Sequence, residues 1–205
     1  MMKPNFAEYF AGISFIPIAS KLAGEMNVKV YIVGGFIRDY IIDREKKEID
    51  FLIIGDGLTY AKSLAERLGI VQVTTFKNFG TAHFSSGGYD LEFVGARKES
   101  YKRNSRNPKI EPGTFKEDIN RRDFTINTLA VSINEIDYGL MIDTFNGVVD
   151  LKNKIIKTPL DPVQTFDDDP LRIMRAFRFA AQLGFDVEEN VISASTELRE
   201  RLKIV

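Results

Sequence analysis

The stretch Val30-Tyr31-Ile32-Val33-Gly34-Gly35-Phe36-Ile37-Arg38-Asp39, followed by Glu48-Ile49-Asp50-Phe51-Leu52-Ile53-Ile54, decides the fold. A β-branched run stops at two glycines, restarts as a helix carrying Arg38, and leads to a second strand bearing Glu48 and Asp50. Strand side chains alternate between faces, so Glu48 and Asp50 point the same way. Two adjacent carboxylates repel unless a cation lies between them, and clustered oxygens suit Mg²⁺. A glycine pair before a helix lets backbone N–H groups approach a phosphate, with Arg38 as a charged clamp one turn in. A phosphate cradle beside metal-binding carboxylates predicts phosphoryl or nucleotidyl transfer.

Plainer readings exist for each part. A glycine pair after a strand can be only a tight turn, and a strand-edge E-x-D can be a solvated face. Their adjacency, and the motifs downstream, favour the chemical reading.

Composition sets the frame. At 205 residues the chain is long enough for a full core, in one domain or one plus an appendage. The net charge is −1, yet it is unevenly spread. Residues 97–122 carry nine Lys and Arg against four acids, +5 for the segment, which leaves −6 for the remainder. That local excess fits a triphosphate or an RNA end, and also a solvated loop. The absence of cysteine excludes disulfides, zinc thiolates and thiol catalysis, and is compatible with a cytoplasmic setting. Phe10–Ser20 has the apolarity of a signal segment. Glu8 precedes it, however, and Phe15, Ile18 and Leu22 recur at helical spacing, so an amphipathic helix is expected. No apolar run approaches membrane-spanning length, and no membrane partner is expected. His83 lies in the alternating segment Thr81–Ser85 and reads as a strand residue, which leaves histidine acid–base chemistry unsupported.

The pattern predicts a helix over 6–25, a strand over 28–33, helices over 36–43 and 59–68, and strands over 49–54 and 70–75. Gly69 reads as a left-handed helix cap. A hairpin should pair 81–85 with 89–95 across Ser86-Gly87-Gly88. Asn107, Pro108, Pro112 and Gly113 mark the basic segment as an irregular loop. A helix is expected over Phe115–Asn120, continuing as an apolar helix through Asp123–Val131. A short strand follows at 140–145 and a polar turn at 150–157. Asp167-Asp168-Asp169-Pro170 opens a helix that runs to Gly184, with acids at its positive end. A last helix is expected over 187–203. Strands early and helices late give an α+β fold class. The expected division is a mixed head over 1–155 and the start of a helical segment over 156–205.

Three further constellations carry chemistry. Asp90 and Glu92 share a face of their strand and could join Glu48 and Asp50 as a third carboxylate, or form a cross-strand salt bridge. In Arg121-Arg122-Asp123-Phe124-Thr125-Ile126-Asn127, adjacent arginines suit bidentate phosphate contacts and Asp123 can hold a guanidinium. In Asp168-Asp169-Pro170-Leu171-Arg172-Ile173-Met174-Arg175-Ala176-Phe177-Arg178-Phe179, arginine recurs every third residue of an apolar helix. Buried arginines need anionic partners, and Asp169 with Arg172 supplies the acceptor and donor fork that reads a base edge. A structural ion-pair stripe is the alternative.

The ordered set G-G-x-x-R-D, E-x-D, R-R-D-F-T-I-N and D-D-P-L-R-x-x-R-A-x-R-F-A resembles the bacterial class II tRNA nucleotidyltransferase (CCA-adding enzyme) and poly(A) polymerase family, from residue 28 to about 186. The resemblance implies a polymerase-β-like nucleotidyltransferase head with a mixed sheet, followed by a helical neck. It implies that Gly35 and Arg38 contact the triphosphate, that Gly34 and Arg122 help bind the nucleotide, and that Glu48 and Asp50 bind metal with Glu92 as the third catalytic acid. It further implies that Asp169 and Arg172 read C or A, supported by Arg175 and Arg178. Two Mg²⁺ ions, ATP and CTP as substrates, and an RNA 3′ end, most often that of tRNA, are the implied cofactors and partners. At Glu48 the family usually carries Asp, and its members continue beyond position 205. Addition of CMP and AMP, poly(A) addition, and a catalytically decayed nucleotide- or RNA-binding module are the competing functions. Neither a P-loop motif nor G-x-G-x-x-G occurs.

Overall fold

The computed structural model describes residues 5–76, 80–102 and 105–204. The N-terminal part comprises α1 (Phe6–Ala11), α2 (Phe15–Glu25), β1 (Lys29–Val33), α3 (Gly35–Ile41), β2 (Glu48–Ile54) and α4 (Gly57–Arg67). Strands β3 (Thr74–Phe76), β4 (Thr81–Ser86), β5 (Tyr89–Gly95), β6 (Arg97–Lys102) and β7 (Ser105–Pro112) follow. Next come α5 (Phe115–Asn120), a 3₁₀ turn at Thr125–Asn127, β8 (Ala130–Ser132), β9 (Met141–Ile142), α6 (Gly147–Asn153) and β10 (Ile155–Ile156). The chain closes with α7 (Pro162–Asp168), α8 (Leu171–Leu183), β11 (Asp186–Val187), α9 (Glu189–Glu197) and a 3₁₀ segment at Arg199–Ile204.

Among the described residues the main sheet has seven strands in the order β3-β4-β5-β2-β1-β8-β9. It is mixed, since β2 pairs parallel with β5 while β1 runs antiparallel to both β2 and β8. The α+β fold class holds. Alternation along the strands divides the sheet into two faces. One face, with Ile32, Ile49, Phe51, Leu91 and Phe93, packs against α2 and α4 in the large core. The other carries Tyr31, Val33 and Leu52 beneath Ile119 of α5, and it continues along β2 and β5 to the carboxylates. No described helix is long and apolar enough to cross a membrane.

Several expectations change. The helix over 6–25 is broken into α1 and α2 at Gly12, whose conformational freedom weakens a helix interior. The expected apolar helix over 123–131 does not form. Phe124 is extended, a 3₁₀ turn follows, and Ala130–Ser132 join the sheet beside β1. The β-branched Thr125, Ile126, Thr128 and Val131 favour this outcome once a strand edge is available. The irregular loop expected in the basic segment is instead the β6–β7 hairpin, in which Lys98 faces Glu111 and Arg97 faces Pro112. Its prolines are tolerated because a two-stranded ribbon has only edges; residues 103 and 104 lie outside the described residues. The expected polar turn over 150–157 is the end of α6 plus β10. Asp143 caps α6, accepting from the N–H groups of Gly147 and Val148 at 2.7 and 3.0 Å. The last expected helix is shorter, with α9 giving way to the 3₁₀ segment.

Candidate active site

Strand β1 ends at Val33 and the chain turns through Gly34, at φ 75° and ψ −131°, a conformation that only glycine adopts readily. A Cβ at Gly34 would lie 3.2 Å from Arg122 Nη1 and 3.6 Å from Asp50 Oδ2. At Gly35 it would lie 2.7 Å from Lys46 Nζ and 3.5 Å from Arg38 Nη2. The missing side chains therefore keep open a space that three cations and one carboxylate approach.

Each arginine there is held by a buried partner. Arg38 is clamped by its neighbour Asp39 through Nε and Nη2, at 2.8 and 2.9 Å, and donates to Asn127 Oδ1 at 2.7 Å. Asn127 donates in turn to Asp123 Oδ1 at 3.0 Å, and the other Asp123 oxygen accepts from Arg175 Nε at 2.7 Å. A polar chain thus joins the glycine turn to α8. The Phe179 ring lies between the two ends, with the Arg38 and Arg175 guanidinium carbons 5.3 and 5.2 Å from its centre.

Asp123 was the expected anchor for the adjacent arginines, but that role falls to Asp118. Fully buried in α5, Asp118 accepts from Arg121 at 2.6 and 2.9 Å and from Arg122 at 3.1 Å. Burial alone would raise its carboxyl; Arg122 and Arg121 outweigh it and hold the group below the usual carboxylate range. Glu99 of β6 ties the same cluster to the hairpin, 2.8 Å from Arg97 and 3.1 Å from Arg121.

The register of β2 and β5 sets the carboxylates: Glu48 lies opposite Asp90 and Asp50 opposite Glu92. Asp50 is half-buried. Burial pushes its carboxyl above the usual range, Arg122 and Lys46 oppose the shift, and Glu48 adds to it. Glu92 is pushed up by burial and by Asp50, against His83 and Arg97. Glu48 is exposed and paired with Lys46 at 3.2 Å. Among the described residues no three His, Cys, Asp or Glu side chains are gathered closely enough to hold a metal ion by themselves.

Two clefts meet at Asp50. The larger, about 810 Å³, is lined by Gly34, Gly35, Arg38, Lys46, Arg122, Asp169, Arg172 and Arg175 among others. The second, about 650 Å³, is lined by Asp50, Phe76, Thr81, Glu92, Arg97 and Arg121 among others. Most of the residues singled out in the sequence therefore line one continuous depression; Glu48 and Arg178 line neither cleft. Arg172 is buried, and its guanidinium donates to the carbonyls of Arg121 and Thr165 at 2.7 and 3.4 Å. Asp169 Oδ1 accepts from the Leu171 N–H at 3.1 Å. Lys46, Asn127, Asp118, Glu99 and Phe179 were missed. Asn127 and Phe179 stand inside the quoted motifs and Lys46 two residues before Glu48, which was their only signal; Asp118 and Glu99 are brought in by tertiary packing.

The chain matches the family described as "Poly A polymerase head domain" over residues 30–157. It is 48% identical over 170 residues to the A-adding tRNA nucleotidyltransferase of Aquifex aeolicus (strain VF5), covering 83% of this chain and 20% of that protein. It is 36% identical to the CCA-adding enzyme of Lactobacillus helveticus (strain DPC 4571), covering 93% of this chain and 46% of that protein. A solved tRNA nucleotidyltransferase complexed with a primer tRNA and an incoming ATP analogue superposes with a TM-score of 0.76 and 41% identity, over 89% of this chain and 50% of that one. The chain thus spans between a fifth and a half of the length of these proteins.

Proposed function

The chain belongs to the poly(A) polymerase head-domain family, and from that premise we propose that it is the catalytic head of an RNA nucleotidyltransferase adding CMP or AMP to the 3′ end of tRNA. The RNA 3′ hydroxyl gives up its proton to water as its oxygen attacks the α-phosphorus of CTP or ATP. A new P–O bond forms as the bond to the bridging oxygen breaks, and pyrophosphate leaves with that electron pair. Arg38 and Arg122 hold the triphosphate over the Gly34–Gly35 turn. Asp169 and Arg172 meet the base edge, with Arg175 and Arg178 supporting α8. The second cleft receives the RNA end beside Glu92. A cytoplasmic setting, where tRNA and nucleoside triphosphates meet, is part of the same reading.

The donor set fits Mg²⁺, which takes hard oxygens and usually binds through one or two carboxylates, completing its shell with phosphate oxygens and water. Asp50 and Glu48 would hold it, and it would supply charge neutralisation on the triphosphate and activation of the hydroxyl.

The observation that supports this reading is the meeting of the two clefts at Asp50. The test is incorporation of labelled ATP and CTP, with Mg²⁺, into tRNA lacking CCA, tRNA lacking only the last A, and unstructured RNA. The expected outcome is incorporation into tRNA, abolished by Asp50→Asn with the fold intact. Long A tails on unstructured RNA would favour the poly(A) reading. The position of Glu48, turned to Lys46, favours a second reading, a decayed nucleotide-binding module. Nucleotide binding without incorporation would support it.

A further inference from the structure

The cations around the glycine turn are not equivalent. Arg38 is held by Asp39 and Asn127, and Arg122 by Asp118, all buried groups. Lys46 reaches the same space from the β2 side, and its ammonium lies where a side chain at Gly35 would collide with it. Its ion-pair partner is Glu48, a carboxylate whose side chain is 70% exposed. A single-point pair with one partner in solvent exchanges readily. Lys46 also acts on Asp50, opposing the rise of its carboxyl. The ammonium therefore lies between the two acids of β2 and the open face of the turn.

We propose that Lys46 is a triphosphate-binding residue of the larger cleft, its ammonium leaving Glu48 to meet the outer phosphates of the incoming nucleotide; this deepens the nucleotidyltransferase reading and rests on it. Lysine suits this role as a compact point charge that follows a flexible polyphosphate, where the fixed arginine forks cannot. The contact is to phosphate alone, so it is blind to the base.

The test is titration calorimetry of the whole chain with ATP, CTP, GTP, inorganic triphosphate and AMP. Lys46→Met keeps the length and the apolar stem and removes the charge at a partly buried position. It should weaken all three nucleotides and inorganic triphosphate alike, by about tenfold. AMP binding and the melting temperature should stay unchanged, and Lys46→Arg should recover most of the loss. Unchanged ATP affinity in Lys46→Met would overturn the proposal, as would an equal loss for AMP, which would mark a structural role. If the unmodified chain binds neither ATP nor inorganic triphosphate, the nucleotidyltransferase reading itself fails, and the inference with it.

Discussion

Asp118 illustrates how much of the site depends on a residue that touches no proposed substrate. Its carboxylate is fully buried and answers the guanidinium groups of Arg121 and Arg122. Replacing one partner of a buried ion pair leaves the other charge uncompensated, at a cost of roughly 3–5 kcal/mol. Asp118→Asn should destabilise the protein by about that amount at pH 7, measured by denaturant unfolding. The sign of its pH dependence follows from linkage. The folded carboxyl lies below the ordinary aspartate value, so the unfolded chain binds the proton more readily. This contribution is present above the unfolded pKa and is lost as pH falls through the folded value. The gap between native and Asp118→Asn stabilities should therefore narrow in acid. A gap constant from neutral pH to well below the ordinary aspartate range would show that packing, not charge, sets the loss.

Helix α8 shows what a pattern of elements reveals and what it conceals. Arg172, Arg175 and Arg178 recur every third residue, and three steps of about 100° fall short of a full turn. The arginines therefore walk around the helix: Arg172 is buried, Arg175 half-buried and Arg178 exposed. An apolar helix with all three arginines buried is therefore not what forms. The glycine turn, the E-x-D strand and the 81–95 hairpin were legible because strong local signals agreed with the tertiary outcome. The strand at 130–132 was not, since β-branched residues turn to the sheet only when β1 offers an edge. Likewise the Asp118 and Glu99 cluster joins α5 to a hairpin whose prolines had suggested a loop. For α8 itself, the expected consequence is a split between base choice and phosphate binding. Arg172→Ala should lower C or A incorporation by roughly 10- to 150-fold, the loss of one charge-assisted hydrogen bond. Arg38→Ala should weaken all four nucleotides alike. Incorporation of ATP, CTP, GTP and UTP by both variants measures this; unchanged ratios in Arg172→Ala would make α8 a structural stripe.

At the scale of the whole molecule, the apolar core runs across residue 155 without a break. Phe124, Ile126 and Leu151 belong to the same buried cluster as Phe166, Ile173 and Val191. Polar contacts cross at the same place: Thr125 N–H donates to the Lys157 carbonyl at 2.8 Å, and Arg172 donates to the Arg121 carbonyl at 2.7 Å. The division near 155 is thus a proposal about roles, while folding should be shared. The distribution of aromatic residues makes this measurable. The chain has no tryptophan, and its seven tyrosines all precede residue 139, so tyrosine fluorescence reports only the part before the division. Phe166 lies beyond it and is fully buried. Phe166→Ala should cost about 3–5 kcal/mol. With roughly 2–4 °C per kcal/mol for a chain of this size, the melting midpoint should fall by on the order of 6–20 °C. Tyrosine fluorescence and far-ultraviolet circular dichroism should report the same lowered midpoint. A tyrosine transition left at its native temperature while ellipticity falls early would mean that the helices after 155 unfold alone. The Asp169–Arg172 end of the cleft would then be assembled from a separately folding part.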